Sequence, residues 1–150
     1  MALKIGVKAP DFTISDQHNN GFTLSDCMGR KVLLSFHPLA WTSVCRKQMK
    51  SLEDNYHTFI EKNTTPVGIS VDSVPTKHAW GKDIGLKKLR ILADFWPHGQ
   101  VAILYDIFRK VEGFSERANI IVSEDGIITF VKVYNLPELP DIREILDFLP

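Results

Sequence analysis

Val32-Leu33-Leu34-Ser35-Phe36-His37-Pro38-Leu39-Ala40-Trp41-Thr42-Ser43-Val44-Cys45 decides how this chain folds. Val32 to Phe36 is a short, mostly apolar run suited to a strand buried on both faces. Pro38 follows, fixing φ and offering no N–H. From about Ser43 to Glu61 the apolar residues Val44, Met49, Leu52, Tyr56, Phe59 and Ile60 recur near helical spacing, with lysines and acids between them. The spacing predicts a helix with one face packed on a sheet. Cys45 falls in its first turn, where unpaired backbone N–H groups and the positive end of the helix dipole favour thiolate over thiol.

Downstream, Pro66-Val67-Gly68-Ile69-Ser70-Val71-Asp72 reads as a second buried strand, and a helix from near Pro75 is predicted to end before an Asp83-Ile84-Gly85-Leu86 turn. Leu89 to Leu92 is a short strand, and Gly99 to Phe108 reads as helix. This alternation implies parallel strands joined by right-handed crossovers. Arg117–Val122 and Ile127–Val133 then flank Ser123-Glu124-Asp125-Gly126, a hairpin signal, and Glu138 to Leu149 is an amphipathic helix. Upstream, Phe12–Ser15 and Gly21–Leu24 flank a polar stretch whose Asn20-Gly21 pair tolerates positive φ, predicting an N-terminal hairpin. Ala93 to His98, with two aromatics, is expected to be a packed loop. The fold class is therefore α/β: a thioredoxin-like three-layer sandwich with a mixed central sheet and an added N-terminal β-hairpin. Residues 1–150 read as one domain without repeats or linkers.

Composition narrows the function classes. Eighteen basic and eighteen acidic residues cancel without forming blocks, so neither nucleic acid nor a membrane surface is an expected partner. The Met1–Val7 segment lacks the apolar stretch of a secretory signal, giving a cytoplasmic expectation. Cys27 and Cys45, the two cysteines, form neither a disulfide framework nor a Cys-x-x-Cys pair. His37, His57, His78 and His98 lack ligand spacing, so no metal is expected, and no cofactor.

A nucleophilic cysteine needs a depressed pKa, access for its target, and donors for the leaving atom. With Thr42 as N-cap, its hydroxyl is expected beside the Cys45 N–H, within reach of both the sulfur and a substrate oxygen. Pro38 shapes the loop and limits water around the sulfur. Trp41 and Val44 are the expected substrate contacts by adjacency, and Arg46 adds a nearby positive charge.

Pro38-x-x-x-Thr42-x-x-Cys45 after an apolar strand resembles the active-site pattern of peroxiredoxins, thiol peroxidases on a thioredoxin fold. Ala9-Pro10-Asp11-Phe12, Leu92 to Ala102 and Glu116 to Gly126 resemble further segments of that family in the right order. The resemblance implies that Cys45 is the peroxidatic nucleophile, Thr42 a hydrogen-bond partner of sulfur and peroxide, Pro38 a shield and Arg117 the cation. Independently, an arginine that starts an apolar strand is well suited to stabilise charge on a thiolate and a leaving oxygen. Attack on the O–O bond gives a sulfenic acid and water or an alcohol.

The chain departs from the family at Gln48, where many members carry a glutamate that orients the arginine, at Trp41 and at Arg46. Lys50 stands where some relatives place a resolving cysteine, and none lies near the C-terminus. A single-cysteine cycle follows, completed by an external thiol such as thioredoxin, glutaredoxin or a small thiol, with Cys27 as the internal alternative. The resemblance also implies a homodimer. The competing readings are a thiol–disulfide oxidoreductase, weakened by the absence of Cys-x-x-Cys, and a redox sensor or holdase.

Overall fold

In the computed structural model, which describes residues 2–150, the hairpin β1 (Thr13–Ser15) and β2 (Gly21–Thr23) leads through a 3₁₀ turn at Leu24–Cys27 into β3 (Lys31–Phe36). Helices α1 (Ser43–Asp54) and α2 (Tyr56–Glu61) follow, then β4 (Thr64–Ser70), α3 (Val74–Ile84) and β5 (Arg90–Ala93). After α4 (Gln100–Leu104) come the short β6 (Phe108–Arg109) and β7 (Phe114–Ser115), the hairpin β8 (Arg117–Val122) and β9 (Ile128–Tyr134), and α5 (Ile142–Phe148).

The central sheet has the order β5-β4-β3-β8-β9. β3 pairs parallel with β4 and antiparallel with β8, and β5 extends the parallel half. This is the mixed sheet the sequence predicts. Side-chain alternation along β3 divides the core. Val32, Leu34 and Phe36 join Phe12 and Phe22 of the N-terminal hairpin region with Val101, Ala102 and Tyr105 from α4 and its end. Leu33 faces the other way, toward Met49 and Leu52 of α1, Phe59 of α2, Trp80 and Ile84 of α3, and Ile145 and Leu146 of α5. With both faces covered, β3 has no solvent side, and its apolar run follows from that.

The N-terminal hairpin also guards the sheet's open edge. Gln17 donates to Leu89 O and accepts from Ile91 N, both at 2.9 Å, while the Asp16 carboxylate accepts from Arg90 Nε at 2.8 Å. A paired and covered edge offers no template to another chain.

Five boundaries differ from the sequence expectation. α3 runs on through Asp83 and Ile84 and ends at a left-handed Gly85. The long helix over 43–61 breaks at Asn55, whose backbone leaves the helical region (φ −106°, ψ 12°) and whose side chain joins its own N–H in donating to Ser51 O. The helix expected over Gly99–Phe108 spans Gln100–Leu104, because Asp106 takes a left-handed φ of 59° and the chain turns into the β6–β7 ribbon. The last helix begins at Ile142 behind an Asp141 cap, since Pro140 precedes it. In the first hairpin Asn19 carries the positive φ (61°), and Gly21 stays extended within β2.

The Ala93–His98 loop is held by the Asp94 carboxylate, not by its aromatics. Asp94 accepts from the N–H groups of Val101 (2.9 Å) and Ala102 (3.0 Å), and burial pushes its carboxyl up to about 6. Phe95 and Trp96 project outward, the latter 80% exposed, contrary to the packed loop expected.

Gly68 on β4 is a point of close approach: a Cβ there would lie 2.3 Å from Met49 Sδ, 3.1 Å from Ile91 Cγ2 and 3.3 Å from His37 Cε1. Gly68→Ala should therefore lower the unfolding free energy by about 1–3 kcal/mol, the usual range for overpacking a filled core. Urea denaturation of the reduced protein measures it.

Candidate active site

Parallel strands β3, β4 and β5 end on one edge of the sheet, and antiparallel β8 begins there. Segments leaving three strands thus meet the first residue of a fourth, a usual place for a site in an α/β fold. Cys45 enters from α1, fully buried, among the apolar residues on the helical side of the sheet. Arg117 comes from the start of β8, one residue before Ala118, the partner of Phe36 at the end of β3.

The two side chains meet. Arg117 Nη1 lies 3.3 Å from Cys45 Sγ and 2.8 Å from Gln48 Oε1, while Nε and Nη2 donate to Leu136 O at 2.9 and 2.7 Å. Arg117 as a whole is only 4% exposed, and among the described residues no carboxylate pairs with it. Neighbouring Glu116 instead accepts from Arg109 at 3.0 Å. Held this way, Arg117 places a desolvated cation against the sulfur, an arrangement suited to receive negative charge.

Thr42 occupies the N-cap position with extended backbone, and its carbonyl accepts the first intrahelical bond from Arg46 N at 2.9 Å. Its hydroxyl makes no cap bond. It donates to Leu39 O at 2.8 Å and stands exposed, so the expected contact with the sulfur is replaced by a brace across the loop. The oxygen's lone pairs remain open to a donor from substrate. The N–H groups of Ser43, Val44 and Cys45 precede the first intrahelical bond and keep the helix end electropositive.

Pro38 is buried between strand and loop. Trp41 has a left-handed φ of 67°, a strain of about 1–3 kcal/mol for a bulky residue. No sequence feature announces it. Its ring, 55% exposed, lines a shallow pocket of about 260 Å³ with Thr42, Ser43, Arg46 and Trp80. Val44 is half-buried and does not line that pocket. Arg46 points away from the sulfur, pairing with Asp83 at 2.6 Å.

The structure also contains a polar chain that sequence reading missed beyond Gln48. Gln48 Nε2 donates to Ser35 Oγ (2.7 Å) and Phe36 O (3.2 Å), and Ser35 donates to Asn119 Oδ1 (2.7 Å). Asn119 Nδ2 reaches the Tyr134 hydroxyl (3.4 Å), which donates to Glu144 Oε1 (2.9 Å). The available signal was a lone polar residue in each of two apolar strands, Ser35 in β3 and Asn119 in β8, paired in register. Among the described residues, no group of three His, Cys, Asp or Glu side chains is placed to hold a metal ion.

Comparison with known proteins identifies the family. Residues 5–131 match the model of the AhpC/TSA family. Alkyl hydroperoxide reductase E of Mycobacterium tuberculosis is 36% identical over 148 residues, spanning 98% of this chain and 96% of that one. Peroxiredoxin-2 of Mus musculus is 32% identical over 95% of this chain and 76% of its own. Reduced 2-Cys peroxiredoxin of Plasmodium vivax superposes with a TM-score of 0.90 at 29% identity, over 98% of this chain and 80% of that one. The chain belongs to the AhpC/TSA family and is a peroxiredoxin-type thiol peroxidase on a thioredoxin-like fold.

Replacing Arg117 by Ala should slow oxidation of Cys45 by peroxide about 100-fold or more, the effect of removing a preorganised donor from a developing anion. Stopped-flow tryptophan fluorescence with substoichiometric peroxide measures it. An unchanged rate in the folded variant would remove Arg117 from the chemistry.

Proposed function

We propose that Cys45 is the peroxidatic residue, that Arg117, Thr42 and Pro38 serve it, and that its cycle is completed by an external thiol. The observation that carries this reading is the 3.3 Å approach of Arg117 Nη1 to Cys45 Sγ, between two buried side chains. The thiolate attacks the nearer peroxide oxygen, an S–O bond forms as O–O breaks, and the leaving oxygen takes a proton to become water or an alcohol. Arg117 steadies the charge passing from sulfur to oxygen, and the Thr42 hydroxyl accepts from the peroxide O–H. Pro38, Trp41 and Val44 limit water and shape the approach. The sulfenic acid then condenses with a thiol, releasing water and leaving a mixed disulfide, which a second thiol cleaves to regenerate Cys45.

Cys27 fits this cycle poorly as an internal partner. It lies in the turn after β2 and packs on the hairpin side of the sheet, whereas Cys45 sits on the helical side. Burial and then Asp26 push its thiol up from the usual cysteine range, which keeps it protonated and slow. Oxidation with one equivalent of peroxide should leave Cys45 trappable by dimedone, and Cys27→Ser should turn over as the wild type does. An internal Cys27–Cys45 disulfide by intact mass would overturn the single-cysteine cycle.

Thioredoxin, glutaredoxin or a small thiol would serve as reductant in a reducing cytoplasm, the address we assign. A homodimer is part of the same proposal. Trp41, Phe95 and Trp96 stand exposed on loops that leave one edge of the sheet, apolar surface a second copy would cover. Light scattering should give twice the 17.0 kDa of one chain; a mass of 17.0 kDa at micromolar concentration would refute it.

A further inference from the structure

Lys77 is fully buried on α3, an unusual fate for a lysine, and the chemistry described so far makes no use of it. Its Nζ lies 3.0 Å from His37 Nε2 and 5.6 Å from the centroid of the Trp80 ring. His37, also fully buried, immediately precedes Pro38, and its ring packs on Trp80 at 5.3 Å. Its Nδ1 has no partner among the described residues. The charged groups that act on this pair are Asp72 after β4, Asp94 after β5 and Cys45 on α1, each favouring the charged form of Lys77, and Arg117 on β8, which disfavours a charged His37.

Asp72 links the lysine to the active-site loop. One of its carboxylate oxygens accepts from the N–H of Ala40 (2.8 Å) and from the Ser70 hydroxyl (2.5 Å). The loop from His37 to Ala40 is thus tied at both ends to groups that answer to the charge of Lys77. As an ammonium, Lys77 donates to His37 Nε2, which places the imidazole proton on Nδ1. As an amine, it can accept from Nε2 instead, and Asp72 loses a facing cation.

We propose that Lys77 is a positioning residue of the peroxidase: its buried ammonium, seated on His37 and facing Asp72, holds the His37–Ala40 loop against α1 and adds a second positive charge behind the Cys45 sulfur. This rests on Cys45 being the peroxidatic thiol. Burial pushes Lys77 down to about 7, so its charge changes near neutral pH. Burial first, and then Lys77, drive His37 well below the usual imidazole range, leaving Lys77 as the member of the pair that titrates.

Lys77→Met keeps an unbranched side chain only one atom shorter and removes its charge. Its reduced form should show thiolate absorbance appearing at higher pH and oxidation by hydrogen peroxide slowed about tenfold near neutral pH, the equivalent of one pH unit of lost charge coupling. The wild-type rate–pH curve should depart from a single titration, and the variant's should follow one. A folded variant whose absorbance and rate profiles overlay those of the wild type would overturn the proposal.

The reciprocal measurement needs no change at Lys77. In isotope-labelled protein, the titration midpoint of the buried lysine should fall in Cys45→Ser, because a thiolate that is stabilised by the lysine stabilises the ammonium in return. An identical midpoint in both proteins would also overturn it. Wild-type oxidation no faster than a free thiol would sink the peroxidase reading alone, since the lysine titration decides the coupling independently.

Discussion

A buried guanidinium without a carboxylate partner is the constraint around which this molecule is arranged. Taking an arginine out of water costs several kcal/mol unless each donor finds an acceptor. Arg117 meets that requirement with the Leu136 carbonyl on one side and Gln48 on the other, which turns Nη1 toward Cys45. Moving any of the three would leave a charge stranded in the interior. The position of the cation on the sulfur is thus enforced by what desolvation would cost elsewhere.

That requirement explains the mixed sheet. A parallel neighbour on that side of β3 would bring its carboxyl end, not its first residue, to the edge where α1 begins. Antiparallel β8 instead delivers Arg117 beside the end of β3, and β9 returns so that the chain after Tyr134 supplies the Leu136 carbonyl. The same pairing sets Ser35 opposite Asn119 in register, so both project to one face. Polar residues that would weaken an isolated apolar strand here satisfy one another.

The elements and their order were legible in the sequence because burial on both faces of the sheet writes long apolar runs, and Pro38 and Gly85 punctuate them. Cys45 and Arg117 were legible for a different reason: a thiol in a first helical turn and a charge opening an apolar strand each conflict with a purely structural role. What escaped was set by geometry that no local pattern encodes. The donor bond from Thr42 to Leu39 O depends on where the loop places a carbonyl, and the left-handed backbone at Trp41 is imposed by the braces on either side of it. Lys77 escaped because a lysine on an amphipathic helix reads as solvent-facing. Only the assembled core shows that its position on α3 faces inward, beside Trp80.

Gln48 shows how one side chain can hold Arg117 without neutralising it. A glutamate there would accept from Arg117, but it would also bring a negative charge beside the guanidinium and shed part of its field before it reached the sulfur. The amide accepts through Oε1 and donates through Nε2, and its two neighbours, a guanidinium that only donates and the Phe36 carbonyl that only accepts, fix its orientation. From there each group donates to the next, Ser35 to Asn119, Asn119 to Tyr134, Tyr134 to the half-buried Glu144. The nearest carboxylate in that chain therefore lies four hydrogen bonds beyond Gln48. With the compensating charge so distant, the positive field of Arg117 is left to fall on Sγ of Cys45, 3.3 Å from Nη1.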